Sequence, residues 1–173
     1  KDHTRLVDAC AGGLSVSMSS PKPSLANDYC PHLSSVYETL MSLGRDESFE
    51  QIADIISAFE LDKENSEGYL ELREAYNEDR EPIYLLILMY HSFSNQIRFN
   101  ADGEFNLHFG RRTFNPQLQK KLHIFFDIQE SDNPISFSNK SFLDLDILEG
   151  DFVYIDPPYK ITDATYNVYW SDA

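Results

Sequence analysis

The sequence predicts an α/β layer fold: a mainly parallel sheet interrupted by a helical insertion that carries a β-hairpin. Three observations support this. Short apolar strands ending in an acid lie near both ends of the chain, helical periodicity fills residues 31 to 129, and a two-residue period breaks in near residue 100. At 173 residues there is material for one real core, or for a core with a small inserted module.

The elements follow in order. "TRLVDACAGGLSVSM" reads as a strand at Leu6-Val7, an acid, a glycine pair and the start of a helix. "PSLAND" (23–28) is a second strand ending in an acid. "PHLSSVYETLMSL" places Leu33, Val36, Tyr37, Leu40 and Met41 at helical spacing behind Pro31. Two amphipathic helices are expected around 47–60 and 67–79. "PIYLLILMYHSF" is apolar almost all round and starts on Pro82, so it reads as a buried helix. "NQIRFNADGEFNLHFG" switches to a two-residue period around Asn100-Ala101-Asp102-Gly103, a hairpin signal. "NPQLQKKLHIFFDIQ" is a helix with Asn115 as N-cap and Pro116 behind it. "PISFSN" and "DFVYID" are the last two strands.

Composition narrows the function classes. No apolar run reaches membrane-spanning length, and Cys10 and Cys30 are too few and too isolated for a metal site or a disulfide framework. A reducing, cytoplasmic setting is therefore expected. The net charge of −15 argues against a generally sticky nucleic-acid binder. It is uneven, however: residues 44–81 hold four basic and thirteen acidic residues, whereas 91–125 hold five basic and two acidic ones. Contact with a polyanion belongs in the second segment, and the first reads as a solvated helical face.

Two constellations carry chemistry. In Asp8-Ala9-Cys10-Ala11-Gly12-Gly13 the glycines let the backbone approach a ligand, and Asp28, at the end of the next strand, is placed to accept hydrogen bonds from ribose hydroxyls. A ligand-free tight turn explains the glycine pair equally well, and Asp28 could simply cap the following helix. In Asp156-Pro157-Pro158-Tyr159 a carboxylate lies at a strand's carboxyl end, where open α/β sheets bind ligands. The prolines stiffen the turn, so the acid and nearby carbonyls become fixed acceptors beside an aromatic face. That set suits a planar group bearing an NH2, such as a nucleobase amine; the alternative is a structural proline turn with a core tyrosine.

"LVDACAGGLSVSM…LANDYCPHLSSVY", "SNQIRFNADGEFNLHFGRRTFN" and "FVYIDPPY", in that order, resemble the Dam-like (D12 class) adenine-specific DNA N6-methyltransferases. The resemblance covers nearly the whole chain. It implies a Rossmann-like methyltransferase sheet, S-adenosylmethionine as cofactor, and methyl transfer to adenine N6 in duplex DNA with the target base flipped out. It also implies roles for particular residues. Asp8, Ala11, Gly12 and Gly13 would bind the cofactor, with Asp8 and the glycines at its methionine end. Asp28 would meet its ribose, and Ser141 and Phe142 its adenine, though Phe142 serves equally well as core. Asp156, also at the cofactor, would be catalytic with Pro157 and Tyr159. Asn95, Arg98, Asn100, Asn106, Arg111 and Arg112 would form the DNA-binding set, each arginine being either a base-edge reader or a backbone clamp.

On that basis residues 1–30 and 130–173 are expected to form an incomplete catalytic domain, and 31–129 a helical target-recognition insertion. The sequence departs from the family pattern at Ala9-Cys10, where Pro-Phe is usual, at Leu14, where a small residue is usual, and at Lys160. Because the chain opens on the first strand at Lys1 and ends at Ala173, a truncated member is expected. The apolar strand edge at 152–156 would then be open to self-association. Two other functions remain open: a catalytically silent DNA-binding relative, and an RNA- or protein-directed amino-methyltransferase.

Overall fold

The structure, a computed structural model, describes residues 3–157. Two compact units divide these residues. One comprises the residues up to Glu38 together with Lys121–Pro157, and the other comprises Thr39–Lys120.

The first unit is built on four short parallel strands: β1 (Arg5–Asp8), β2 (Ser24–Asn27), β3 (Ile135–Ser138) and β4 (Asp151–Tyr154). Their spatial order is β3-β2-β1-β4. Asp8 lies level with Ala26 on one side and with Tyr154 on the other. The chain therefore moves outward from β1 through β2 to β3, then returns to the far side of β1. This puts a topological switch point between β1 and β4, and the crevice at their carboxyl ends is where open α/β sheets take ligands. Val7 in the central strand is fully buried, as a parallel strand covered on both faces must be. Arg5 and Asp151, directly opposite in the β1–β4 register, form a two-pronged ion pair that fixes this edge.

The predicted elements hold with three differences. No α-helix follows the glycine pair; the β1–β2 connection is irregular apart from a single 3-10 turn at Ser17–Ser19. The serine-rich segment meets Pro21 and Pro23 before it has room for a full helix. The helix α3 (Pro82–His91) stops short of Phe93, which is 61% exposed instead of buried. The hairpin is a ribbon held by isolated antiparallel bridges, Ser92 to Phe109 and Phe99 to Phe105, not by a continuous ladder.

The other helices follow their sequence signals. The segment α1 (Pro31–Ala58) breaks at Gly44, whose φ of 76° and ψ of 179° give the two separate helices expected there. The helix α2 (Ser66–Asp79) is capped by Asn65, which accepts from Gly68 N–H at 3.0 Å, and ends at Arg80 in the left-handed region. The helix α4 (Pro116–Gln129) starts on Asn115, whose side chain accepts from the amides of Gln117 and Leu118. Within the first unit, Tyr37 stacks on Phe137 at 5.1 Å and Phe125 packs against both rings, closing one face of the sheet.

Candidate active site and nucleic-acid interface

The sheet brings Asp8, Asp28 and the Asp156 segment to one end of the first unit, at the carboxyl ends of β1, β2 and β4. Asp8 is 1% exposed and accepts from Ser17 Oγ at 2.9 Å. Burial pushes its carboxyl above the usual value; the Ser17 contacts oppose this, and the charges of Asp28 and Asp156 add to it. Cys10 lies in the same field. Burial first, then Asp28, Asp8 and Asp156, raise its thiol to about 11, so it stays protonated and unreactive at neutral pH.

The turn after β1 is held open. Ala11 N–H donates to Asn27 O at 2.8 Å, Gly12 N–H donates to Asp28 Oδ2 at 2.8 Å, and Tyr37 Oη donates to Gly12 O. Gly12 has φ of 46°, and a Cβ at Gly12 or Gly13 would meet nothing within 4 Å. The polypeptide thus leaves a bare backbone cradle there, edged by carboxylates, which fits an extended ligand carrying positive charge. Leu14 is 2% exposed and lies in the interior, with φ of 62°.

Asp28 combines both sequence readings. Its Oδ1 accepts Cys30 N–H at 2.9 Å just ahead of α1, and its Oδ2 accepts Gly12 N–H. A carboxylate has about four acceptor directions, so two remain for hydroxyl groups. Ser141 caps the 3-10 turn Phe142–Asp144 through Leu143 N–H at 3.3 Å, and Phe142 is 40% exposed beside it. Asp156 and Pro157 are exposed at the end of β4. Pro158, Tyr159 and Lys160 lie outside the described residues.

One residue of this site was invisible in the sequence. Asn27 is buried between the loops, donating to Ala9 O at 3.1 Å and Lys140 O at 3.0 Å and accepting from Lys140 N at 2.9 Å. "LAND" drew attention to its acid, but nothing local marked the asparagine before it.

The second unit carries the ribbon. Arg98 is turned onto its own ribbon, with Nε donating to Asn106 Oδ1 at 2.7 Å and Nη2 to Asn106 O at 2.6 Å. Asn100 shapes the turn, its Oδ1 accepting from the amides of Asp102 and Glu104. Asn95, at φ of 52°, is pinned to the carbonyls of Met89 and Tyr90 and accepts from Arg112 at 3.0 Å. Arg111 is exposed with φ of 52°. Asn95, Arg112 and the exposed Phe93 therefore gather at the ribbon's base, while Arg98, Asn100 and Asn106 build its shaft and tip.

Sequence reasoning also missed how the ribbon is held. Three α2-segment side chains grip alternate backbone groups of the returning strand: Arg80 at Gly103 O, Asn77 at both N–H and O of Phe105, and Tyr69 at Leu107 O. They stand in for a missing neighbour strand. Tyr76, Phe99 and Phe105 form the aromatic core beneath.

The family description "D12 class N6 adenine-specific DNA methyltransferase" matches residues 1–173. The chain belongs to that family. Its fold is accordingly the α/β, Rossmann-like methyltransferase architecture, and the family's reaction requires a methyl donor. The chain is 34% identical over 168 residues to the Type II methyltransferase M.FokI of Planomicrobium okeanokoites, covering 93% of this chain and 26% of that protein. It is 30% identical over 174 residues to the modification methylase StsI of Streptococcus sanguinis, covering 96% and 26% respectively. To the Retron Ec67 DNA adenine methylase of Escherichia coli it is 30% identical over 176 residues, covering 97% and 58%. The D12 chain thus spans about a quarter of the length of the first two relatives.

Proposed function

We propose that this chain carries the donor site and the target-reading ribbon of an enzyme that transfers a methyl group from S-adenosylmethionine to adenine N6 in duplex DNA. The observation that carries this reading is the open Gly12-Gly13 cradle, edged by Asp8 and Asp28, at the same sheet end as Asp156-Pro157. When bound, S-adenosylmethionine supplies a methyl on a positively charged sulfur that leaves as a neutral thioether.

The cradle backbone and Asp8 hold the methionine end in this reading. Asp28 takes the ribose hydroxyls, and Ser141 and Phe142 line the adenine. The charge of the acid cluster favours the cationic donor over its neutral-sulfur product. Asp156 and the Pro157 carbonyl accept the hydrogens of the adenine amine. Its lone pair is otherwise delocalised into the ring, and holding both hydrogens favours a more tetrahedral, more nucleophilic nitrogen. Alignment of that nitrogen with the methyl group supplies the rest of the rate, and the methylated nitrogen then releases one proton to solvent. Duplex adenine is out of reach inside the stack, so the base is flipped at a cost of a few kcal/mol, and Tyr159 receives it. Arg111, Arg112 and Asn95 meet the phosphate backbone, with exposed Phe93 offering an apolar face beside them. Arg98, Asn100 and Asn106 set the ribbon's form and contribute to reading the groove from it.

Among the described residues no helix is long and apolar enough to cross a membrane. A cytoplasmic setting accompanies the DNA substrate in this reading. Exposed Phe152 and Ile155 on and just after β4 form the surface through which copies would associate, and sedimentation of Phe152→Ser against wild type tests that. The deciding experiment is Asp156→Ala, assayed with labelled S-adenosylmethionine on adenine-containing duplexes and on RNA. Loss of DNA methylation with donor binding kept is expected; retained methylation would overturn the assigned roles.

A further inference from the structure

Asn27 is the last residue of β2, 1% exposed, and its side chain reaches both neighbouring loops at once. The β1–β2 register ends at Asp8–Ala26, and the β2–β3 register ends at Asn27–Ser138. Beyond them one further backbone bond ties each pair, Ala11 N–H to Asn27 O and Asp28 N–H to Ser138 O. From there the Asn27 amide takes over. Nδ2 donates to Ala9 O at 3.1 Å and to Lys140 O at 3.0 Å, and Oδ1 accepts Lys140 N–H at 2.9 Å. Two carbonyls and one N–H face the group, so its orientation is forced: only the NH2 can meet both carbonyls. Both donors are satisfied in a buried position, where leaving either unmade is expensive.

The bonded loops are the two walls of the candidate donor site. Ala9 opens the Ala9–Gly13 turn, and Lys140 immediately precedes Ser141-Phe142. We infer that Asn27 is a positioning residue that sets the gap between the glycine turn and the Lys140–Phe142 loop, so that one ligand can engage both walls. This rests on the reading of the site as one for S-adenosylmethionine, whose methionine end would meet the turn and whose adenine would meet Phe142. A ligand with two linked ends gains from both subsites only if their spacing matches its own length. A ligand that uses one wall does not depend on that spacing. Asn27 therefore acts on the difference in affinity between a two-ended ligand and its fragment.

Calorimetric titration of the intact chain with S-adenosylmethionine and, separately, with adenosine tests this. Asn27→Ser should weaken S-adenosylmethionine by about 10-fold or more while changing adenosine by less than about 3-fold. Asn27→Asp keeps the shape and the acceptor for Lys140 N–H but turns a charge on the Ala9 and Lys140 carbonyls, and should show the larger ratio; if it does not fold, Asn27→Ser decides. Exchange of the Lys140 amide should quicken in Asn27→Ser, which removes its acceptor. Ile135→Val, a core change at the opposite end of β3, should lower the melting midpoint and leave the ligand ratio unchanged. Equal weakening of both ligands, or unaltered S-adenosylmethionine affinity in Asn27→Ser, overturns the positioning role alone. A wild-type chain that binds neither ligand overturns the donor-site reading and the positioning role with it.

Discussion

Replacing Asn77 with alanine should loosen the ribbon from α2. The Phe99–Phe105 bridge is flanked by Asn100 N–H to Glu104 O at 2.9 Å and Asn106 N–H to Arg98 O at 3.1 Å. Phe105 is therefore the non-hydrogen-bonded partner of its pair, and its own N–H and C=O point away from the opposing strand. Asn77 meets both, accepting from Phe105 N at 2.8 Å and donating to Phe105 O at 3.1 Å. Phe105 itself is 1% exposed, which limits the access of water to these groups. Truncation removes two hydrogen bonds of about 1 kcal/mol each and strands a donor and an acceptor, a total of about 2–4 kcal/mol. Native-state exchange of the Phe105 amide would then accelerate by about 30-fold to several hundred-fold. Asn77→Asp keeps the acceptor for Phe105 N–H and should lose protection at Phe105 by less than Asn77→Ala does. A change at Phe105 below about 3-fold in Asn77→Ala would show that the clamp does not hold the ribbon.

Further outcomes follow from the same geometry. Gly110→Ala would put its Cβ at 2.2 Å from Ser92 O and 2.5 Å from Phe93 N, both backbone atoms. It should cost about 3 kcal/mol in urea unfolding, the upper end of overpacking penalties. Asp8→Asn keeps an acceptor for Ser17 while removing a buried charge beside Asp28 and Asp156. It should stabilise the ligand-free chain by about 1 kcal/mol in thermal melts and weaken donor binding, and a lowered melting midpoint would contradict the electrostatic account. His91 is 1% exposed, with Nδ1 at 3.0 Å from Ile87 O and Nε2 without a hydrogen-bond partner among the described residues. Burial lowers its pKa below the ordinary 6.5, against a smaller opposing effect of the Ile87 carbonyl. The unfolded chain therefore takes up the proton first, and this share of stability is complete above pH 6.5 and drains away as pH falls toward the depressed value. His91→Leu should flatten the melting midpoint between pH 6.5 and 5, the lower bound being about where an ordinary histidine is fully charged.

Much of the fold was legible in the sequence because its signals are local. Pro31, Pro82 and Asn115-Pro116 mark helix starts within a few residues of the chain, the prolines by their fixed φ and Asn115 by its cap bonds. The acids closing β1 and β2 and the Asp156-Pro157 ending of the last strand were legible for the same reason, since each sits at a strand's last residue or within a few residues after it. The helix expected after Gly13 does not form because Pro21 and Pro23 close the segment before it has room for one. Phe93 continues the apolar run yet lies exposed past the end of α3, because an apolar run does not show where it leaves the core.

The sequence by itself determined the parts: strands, helix starts, the family motifs and the chemical kinds of group available for methyl transfer. Tertiary structure alone decided what holds those groups in place. Asn27 binds Lys140 across 113 residues and Asn77 binds Phe105 across 28, while Arg98, expected in the DNA-binding set, spends two donors on Asn106. An asparagine carries the same amide wherever it stands. Whether that amide caps a helix, joins two loops or replaces a strand depends on which unpaired backbone groups the fold carries to it, and on water being kept away from them.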